Sequence, residues 1–553
     1  MLGSRPEAVS PDRHIRAPLI RLIAIGGSRG CGLPGTGLWL EGAWITEALD
    51  LRHATAKGEI VLHFCTLVDE PRFDYTTLTV LSLDDSAFPG LFAQGAEVKD
   101  TLFFRRVKAT GTVNVNGARI GGHLTCEGAT LDGAGDKALT AQGLDLGQSL
   151  FLRGVTATGT VDVNSARIGG QLACEGATLD GAGGKALNAQ GLDLGQDMFL
   201  DDVTATGTVD VNGARIGGQL SCEGATLNGA GKRALNGQRM RVGHGFFFRA
   251  VKGVTGDVYL PSASVGDLVD DAQAWAGIKG QVQLDGFTYE RISAAAPTDA
   301  KTRLDWLAKC ANYRGTTYPQ PYTQLAKVLA AMGHGRAARL VLHKRGQVMA
   351  MQERAEALEQ LARLRKDAGQ DAEDRPQSER VVAQRARASI GRLRIRMAGT
   401  RAWTLFLDRL IGYGYRPEFA AGWALGTLAL ATLVYGFAYA NGGMAPNSAV
   451  VMISASWAEA MAQSPGAPAL TWVAMPEGQH YETFAALPYA LDVVLPIVDL
   501  GQQSAWAPTT QTILGTIAWA AIWFFTLFGW MLSALLVAAL TGLIQKNQPG
   551  ADQ

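Results

Sequence analysis

The sequence predicts a mainly β repeat fold, a right-handed parallel β-helix, followed by an α-helical hairpin and two transmembrane α-helices. The β-helix is predicted by a string beginning Ala-Arg-Ile-Gly-Gly that recurs 48 residues apart, at Ala118, Ala166 and Ala214, because a fixed period marks a repeat architecture. The hairpin is predicted by apolar residues at helical spacing in the middle of the chain. The transmembrane helices are predicted by two long uncharged stretches near the C-terminus.

Each period holds two coils of the β-helix. A weaker copy begins at Leu144, which lies 26 residues after Ala118 and 22 residues before Ala166. Apolar and polar residues alternate over short runs, as in a strand, and Gly169-Gly170 interrupts the alternation where the backbone bends. We therefore expect about ten coils and a length of about 50 Å. A leucine-rich repeat is the nearest alternative, but its Asn/Leu signature is missing. The same apolar pattern begins at Ala43, Ala96, Met240 and Ala263.

Three cysteines take one inward position in every second coil, and larger apolar residues take it between them. Two coils separate neighbouring cysteines by about 9.6 Å, beyond the reach of a disulfide. We interpret the cysteines as small core residues. No metal site, cofactor or Cys–His nucleophile is predicted, and six unpaired cysteines indicate a reducing compartment. In chain order this column is Cys126, Leu152, Cys174, Leu200, Cys222 and Phe248.

The apolar spacing becomes helical after the β-helix. Residues 321–342 predict an αα-hairpin similar to a tetratricopeptide unit, with a helix around 300–313 before it. One hairpin is too little for an array, so we expect it to cap the β-helix and cover strand edges. Peptide binding is the alternative role. Residues 347–366 continue as an amphipathic helix, and the polar stretch 367–379 predicts a linker.

Two stretches, 419–440 and 512–544, contain no Lys, Arg, Asp or Glu. Each exceeds the about 20 residues that a helix needs to cross a bilayer. Neither Lys nor Arg occurs between Arg416 and Lys546, so the positive-inside rule places the loop 441–511 outside. The chain shows no secretory signal. The predicted location is the bacterial inner membrane, with two spans and both termini cytoplasmic.

A basic collar precedes the first of these stretches. Anionic lipid headgroups attract such a segment at about 1 kcal/mol per basic side chain, so the lipid bilayer is a predicted partner. No nucleic-acid partner is predicted, because aromatic residues do not interleave the arginines. The lipid-facing residues that we expect are Arg385, Arg387, Arg392, Arg394, Arg396 and Arg401.

The external loop holds an apolar segment, 484–500, with two acids, Asp492 and Asp499. Seven residues apart, the carboxylates would share one face of a helix. One interpretation is a re-entrant element that presents acids to a pore, because charge inside a membrane usually serves a function. The other, which the sequence favours, is an amphipathic helix on the outer surface with both acids in water.

A glycine-rich segment, beginning at Gly26, contains a match to the GxGxxG string of dinucleotide-binding turns at Gly30 and Gly32. Such a turn needs a strand before it and a helix directly after it. Pro34 follows instead, and the Tyr-x-x-x-Lys pair of short-chain dehydrogenases is missing downstream. These three glycines are therefore weak candidates for cofactor binding, and a connecting loop is the better interpretation.

Several strings together resemble an uncharacterised bacterial family labelled "membrane-associated oxidoreductase". They are the Gly-Ala-Arg-Ile-Gly-Gly coils, Pro319-Gln-Pro-Tyr-Thr-Gln-Leu-Ala, Gly412-Tyr-Gly-Tyr-Arg-Pro and Leu491-Asp-Val-Val-Leu-Pro-Ile-Val-Asp-Leu-Gly-Gln. The resemblance covers most of the chain and implies β-helix repeats, a C-terminal transmembrane region and a redox activity. It brings no catalytic motif that these residues match.

Three functions follow as hypotheses. The first is a non-catalytic scaffold or sensor, which binds a protein partner or a second copy of itself along the β-helix. Its basis is a ladder of repeated exposed charges, although the same ladder is also typical of a solvated face. The second is an oligomeric membrane pore with Asp492 and Asp499 near its path. The third is an NAD(P)-dependent oxidoreductase. The repeated charges are Arg119, Arg167, Arg215, Glu127, Glu175 and Glu223.

The predicted elements divide the chain into six parts. They are an N-terminal helix and loop (1–36), the β-helix (37–295), the helical cap (296–366), a linker with the basic juxtamembrane helix (367–417), the transmembrane region (418–545) and a tail (546–553).

Overall fold

A computed structural model describes residues 4–27, 37–310, 312–369, 377–495 and 497–540. Two compact units make up the chain, Met1–Arg345 and Gly346–Gln553. The first is a parallel β-helix with a helical end, and the second is helical. The predicted fold class is confirmed.

Every coil of the β-helix contributes strands to two parallel sheets, which we call sheet A and sheet B. Following sheet A from one coil to the next gives twelve coils in the described residues, more than the ten expected. Sheet A consists of His14–Arg16, Trp44–Thr46, Thr66–Leu67, Ala87–Phe88, Leu91–Phe92, Lys108–Ala109, Val113–Asn114, Thr130–Thr140, Thr156–Asp162, Thr178–Asn188, Thr204–Asp210, Thr226–Asn236, Gly253–Tyr259, Ile278–Lys279 and Val282–Gln283.

Sheet B forms the opposite side of each coil. Its strands are Gly37–Glu41, Glu59–His63, Thr77–Leu78, Leu81–Ser82, Glu97–Val98, Leu102–Phe103, Arg119–Ile120, Leu124–Thr125, Asp145–Leu146, Leu150–Phe151, Arg167–Ile168, Leu172–Ala173, Asp193–Leu194, Met198–Phe199, Arg215–Ile216, Leu220–Ser221, Arg241–Phe248, Ser264–Asp270 and Thr288–Ile292.

The early coils have four short sides, and an inward apolar side chain recurs every five residues. Phe73, Leu78, Leu83, Phe88 and Ala93 follow this spacing and are all buried. Two-residue strands occupy the sides, so the side-chain alternation of a longer strand has no room to develop. The coils between Ala43 and Ala96 lack the Gly-Gly pair, which is why the 48-residue period did not reveal them.

Left-handed corners join the two sheets. Tyr75, Asp85, Gly95, Arg106 and Gly117 have φ values between 52° and 62°. Successive corners are ten or eleven residues apart, so each early coil has two of them. Gly readily adopts a positive φ, whereas other residues lose some free energy there. The packing between stacked coils offsets this loss.

The 26-residue coils differ from the 22-residue coils by an outward loop in sheet A. Thr130–Thr140 is one such strand, and its register with the next strand shifts between Asp132 and Lys137. The loop turns at Ala134 and Gly135, both with positive φ. Gly159 of the following coil lies under it, since an added Cβ would be 2.8 Å from the Asp136 carbonyl oxygen. The alternating period of the sequence therefore comes from a loop in every second coil.

Helices adjoin both ends of the β-helix. Before the first coil, α1 (Ala17–Ala24) buries Ala17, Ile20 and Ala24. The preceding strand His14–Arg16 pairs with Trp44–Thr46, so the N-terminal segment contributes a strand as well as a helix. At the other end lie α2 (Ala272–Ala276), α3 (Ala300–Cys310) and α4 (Gln320–Ala331), with a small antiparallel pair, Asn312–Tyr313 and Thr316–Thr317.

The second unit contains two helices that are long and apolar enough to cross a membrane, Glu418–Ala440 and Ile513–Ala538, with mean hydropathy 1.5 and 2.0. Many of their large apolar side chains are exposed, for example Leu433 at 69% and Leu527 at 69%. A core helix of a soluble protein would bury such side chains, whereas lipid would cover them.

Short helices between these two build a compact aromatic cluster, which contains Tyr435, Trp457, Trp472, Tyr489 and Trp506. An antiparallel strand pair closes the segment. Helix α5 begins before the division of the units, at Gly335. The elements are α5 (Gly335–Gly369), α6 (Gln377–Ile411), a 3-10 turn (Gly412–Gly414), α7 (Pro417–Ala440), strand Met444–Pro446, α8 (Ala449–Met452), α9 (Ala455–Gln463), α10 (Pro468–Val473), α11 (Pro476–Gln479), α12 (Ala486–Val494), α13 (Gln502–Ala505), strand Trp506–Pro508 and α14 (Ile513–Leu540).

Candidate functional site

The repeated arginines lie in one column on the outer face of sheet B, and acids take that column in the coils between them. Neighbouring coils are about 4.8 Å apart, so opposite charges alternate along most of the column. This intervening set of acids was missed in the sequence, because the weaker copies were compared only by their apolar residues. In register, the column is Glu97, Arg119, Asp145, Arg167, Asp193, Arg215 and Arg241.

The repeated glutamates are paired in the same way. Arg153 stands between Glu127 and Glu175, with its guanidinium nitrogens 3.2 and 3.1 Å from their carboxylate oxygens. Arg249 pairs with Glu223. These side chains are partly exposed, and such pairs contribute at most about 1 kcal/mol each. The arginine column of sheet B therefore alternates in charge over most of its length, whereas the glutamate column has three successive acids, at Glu175 and in the next two coils.

Under sheet A runs a polar network that the sequence analysis did not identify. The Asp162 carboxylate is 2.8 Å from Lys137 Nζ and accepts hydrogen bonds from Gln142 Nε2 at 2.6 Å and Asn188 Nδ2 at 2.9 Å. Burial would raise the pKa of Asp162, but the hydrogen bonds from Lys137 and Gln142 hold it below its usual value. Asp210 repeats the arrangement one period later. The signal in the sequence that could have revealed this network is the recurrence of its Asp and Asn residues at a spacing of 48.

The cysteine column was placed correctly. Cys126, Cys174 and Cys222 are fully buried free thiols, and burial raises the pKa of each to about 12. Such thiols are poor nucleophiles and poor metal ligands at neutral pH. Among the described residues, no group of three or more His, Cys, Asp or Glu could hold a metal ion.

The glycine-rich segment is only partly described. Gly26 has φ 117° directly after α1, and an added Cβ there would be 2.7 Å from Lys57 Nζ. A helix thus precedes this glycine where a dinucleotide-binding turn needs a strand. Gly30 and Gly32 lie outside the described residues.

The basic collar lies on α6. Arg392, Arg394, Arg396 and Arg401 are exposed, with Ile395 beside them at 76% exposure. The side chains of Arg385 and Arg387 lie outside the described part of the chain. Exposed guanidinium groups next to an exposed apolar side chain suit the boundary between headgroups and acyl chains.

The two acids of the loop 441–511 do not share a helix face, so that expectation was wrong. Helix α12 ends at Val494, and Asp499 belongs to the segment that returns from it. The physical reason is that Leu495 has an extended conformation, which the residue before a proline favours. Asp492 accepts hydrogen bonds from the backbone N–H groups of Leu500 at 2.6 Å and Gln502 at 2.9 Å, and it thereby holds the return segment against α12.

Helix α12 packs between the two apolar helices. Thr526 Oγ1 of α14 donates to the Val493 carbonyl oxygen at 3.3 Å, and Gly529 is in direct contact with Val494. Gly443 lies beside Gly515, and Gly529 is fourteen residues further along α14, or about 21 Å. The end of α12 is therefore far from the end of the helix pair, which favours a re-entrant element over a surface helix.

Comparisons with family models, with curated proteins and with solved structures give no significant match. The chain is therefore a protein of the parallel β-helix class with two candidate membrane helices, as its own geometry defines it. The resemblance to the "membrane-associated oxidoreductase" family stays a prediction.

Proposed function

We propose that this protein is a non-catalytic scaffold or sensor, anchored in a membrane, that binds a partner along its β-helix. The observation that carries the proposal is the combination of a solid interior with a regular outer charge column on sheet B. Inward side chains such as those of Leu152, Cys174 and Leu200 fill the coils, and each of them is fully buried. The functional surface of this unit is therefore its outside.

Length and regularity suit such a surface for binding. A β-helix repeats the same side chain at a fixed spacing, and a partner with a matching repeat can gain many weak contacts at once. The partner is a protein of unknown identity or a second copy of this chain. Because opposite charges alternate along most of the sheet B column, we expect the recognition of that column to depend on the charge pattern rather than on net charge.

The interaction surface is tested in the full chain in native membranes with a photo-crosslinking amino acid. One variant carries it at position 167, in the charge column of sheet B, and a matched control carries it at Thr178, on the outer face of sheet A. The proposal expects a discrete adduct from position 167, either to a partner or to a second copy. Irradiation that gives no adduct from either position rejects a binding role for these faces.

The anchor is the pair of helices α7 and α14, and the proposed location is the bacterial inner membrane with both termini in the cytoplasm. The support is the lack of Lys and Arg between Arg416 and Lys546 and the exposed arginines of α6, which would contact anionic headgroups.

This topology has a direct protease test. The loop 441–511 contains Glu459, Glu477 and Glu482 but no Lys or Arg. In intact spheroplasts, we expect a Glu-specific protease to cut the chain and trypsin to leave it whole. After lysis, trypsin should digest the N-terminal part. Tryptic cleavage of the chain in intact spheroplasts would reverse the proposed orientation.

A pore is the second candidate function, favoured by the deep position of α12 between α7 and α14. It expects ion conductance by the reconstituted full chain that changes in Asp499→Asn. Asp492→Asn is the less informative variant, because Asp492 already holds the return segment. If Asp499→Asn leaves the conductance unchanged, Asp499 does not line the ion path.

The oxidoreductase function rests on the family resemblance alone. It expects binding of NAD(P)H by the full chain that is lost on Gly30→Val. A titration of NADPH fluorescence decides this, and saturable binding that survives the substitution would place the cofactor elsewhere.

A further inference from the structure

The charge column of sheet B loses its alternation at Arg241. The pattern of acid and base in the preceding coils would place an acid after Arg215, but Arg241 follows it in register. The next positions, Ser264 and Thr288, are uncharged. In the described part of the chain, neither guanidinium forms an ion pair. Two cations thus stand about 4.8 Å apart on adjacent coils, and nothing in the column compensates the second one.

This arginine pair lines a groove of about 770 Å³ between sheet B and helix α4. The volume falls within the range of small-molecule sites, about 300–1,000 Å³. Lys327 contributes a third cation from the helix side, and its side chain is exposed. The groove therefore has basic groups on two opposite walls.

The floor of the groove is backbone. Ile216, Val242 and Val265 line it but point their side chains into the β-helix, where they are almost fully buried. Gly217 follows Ile216 and Gly243 follows Val242. Each of these glycines stacks on the glycine of the preceding coil, so closely that an added Cβ would collide with that glycine's carbonyl oxygen. The glycines leave open space over the floor between the cationic walls.

The opposite wall is fixed in place. Gln324 of α4 donates from Nε2 to the Tyr289 carbonyl oxygen at 2.7 Å, so this positioning residue holds the helix against the last coil. Two acids also line the groove, Asp193 before the arginine pair and Glu290 in the last coil. They limit the cationic part to a short central stretch, which suits a compact anion and opposes a long polyanion.

We propose that this groove binds a small phosphorylated ligand, with its phosphate between Arg215 and Arg241 and Lys327 facing it from α4. A carboxylate has two oxygens, which one guanidinium occupies when it binds bidentately. A phosphate has at least three acceptor oxygens, so it can accept from two guanidinium groups on adjacent coils and from an ammonium group. The site lies in the same unit as the scaffold surface but does not depend on the scaffold function.

The test is calorimetric titration of the detergent-solubilised full chain with pyrophosphate at fixed ionic strength. We expect saturable binding that Arg241→Asp weakens by at least about tenfold, the factor for one charge-assisted contact. Lys327→Gln should weaken it by a smaller factor. Arg167→Gln is the matched control, because Arg167 lies in the same column outside the groove, and it should leave the affinity unchanged.

Three results would overturn the proposal. The first is the lack of saturable pyrophosphate binding by the unaltered chain. The second is an equal loss in Arg167→Gln, which would assign the effect to the general charge of the column. The third is competition by citrate at the same concentration as pyrophosphate, which would reject a phosphate-specific site. Circular dichroism of each variant verifies the fold, and Arg241→Gln repeats the test without a new charge.

Discussion

At the scale of single residues, the size of a side chain in the β-helix is set by its neighbours in the column. Cys126, Cys174 and Cys222 alternate with Leu152 and Leu200, so small and large side chains share the space between successive coils. The thiols recur at the same position from repeat to repeat, where a small side chain that is apolar in its buried state fits the column.

The first prediction concerns thiol reactivity. With a pKa of about 12, only about one in ten thousand of each of these thiols is ionised at pH 8. Burial also blocks reagents. We expect a disulfide reagent at pH 8 to label at most one of the six cysteines of the native chain, and all six in denaturant. Rapid labelling of two or more native thiols would contradict the packed column.

The second prediction concerns the glycine after each inward isoleucine. At Gly169, an added Cβ would be 2.4 Å from the Gly147 carbonyl oxygen, so Gly169→Ala forces two coils apart. We expect the change to lower the free energy of unfolding by about 1–3 kcal/mol. Gly253→Ala is the matched control, since open space surrounds that position. Denaturant titrations measure both, and equal stabilities would reject the close approach.

At the scale of elements, a buried ion pair joins helix α3 to the β-helix. Arg303 Nη1 and Nη2 donate to the two carboxylate oxygens of Asp270 at 2.7 and 2.8 Å, and Trp275 Nε1 also donates to Asp270. Both charged side chains are almost fully buried. The carboxylate thus accepts three hydrogen bonds, which offset part of the cost of burying charge.

The third prediction follows from this pair. Arg303→Met leaves the Asp270 carboxylate buried without its counterion, and we expect a loss of about 3–5 kcal/mol in unfolding free energy. The nearby Trp275 and Trp306 rings, whose centroids are 5.6 Å apart, report on this end of the unit through their fluorescence. Replacing the exposed pair member Arg291 by Met should change stability by no more than about 1 kcal/mol. Similar losses in the two variants would contradict this account.

The fourth prediction tests the packing of α12. The backbone of Val494 lies directly against Gly529 of α14, so the Cβ of Gly529→Ala would collide with the Val494 carbonyl oxygen. We expect a clearly lower melting temperature of the second unit in detergent. Gly426→Ala in α7, where nothing lies near the added atom, should have little effect. A surface-lying segment 484–500 would leave both variants equally stable.

At the scale of the whole molecule, the two units have separate hydrophobic cores. The coils bury their inward side chains within Met1–Arg345, and an aromatic cluster including Tyr435 and Trp506 fills the second unit. Coils contact mainly their neighbours, so stability of the β-helix is close to a sum over coils and their interfaces.

The fifth prediction is that residues 1–345 fold without the second unit. We expect this fragment to be soluble and to show a β-sheet circular dichroism spectrum, with a cooperative unfolding transition. Its buried thiols should be as unreactive as those of the full chain. Aggregation of the fragment, or free reaction of its cysteines, would show that the β-helix depends on the helices that follow it.

Much of this architecture is predictable from local sequence. The repeat, the cysteine column, the hairpin region and the two apolar stretches follow from periodicity and composition, because inward positions in a coil and lipid-facing positions in a helix select apolar residues wherever they occur. The coils near Phe73 and Leu83 were not predicted, because their inward apolar side chains recur every five residues. The 48-residue period of the later coils does not extend to them.

By itself, the sequence determined the β-helix class, the place of the cysteines and the two candidate spans, since each depends on a pattern that residues close in the chain carry. Only the tertiary structure decided that Asp492 closes a turn, that acids separate the repeated arginines, and that Arg215 and Arg241 share a groove with Lys327. Those relations join residues from different coils and helices, and distance in the chain gives no measure of distance in space.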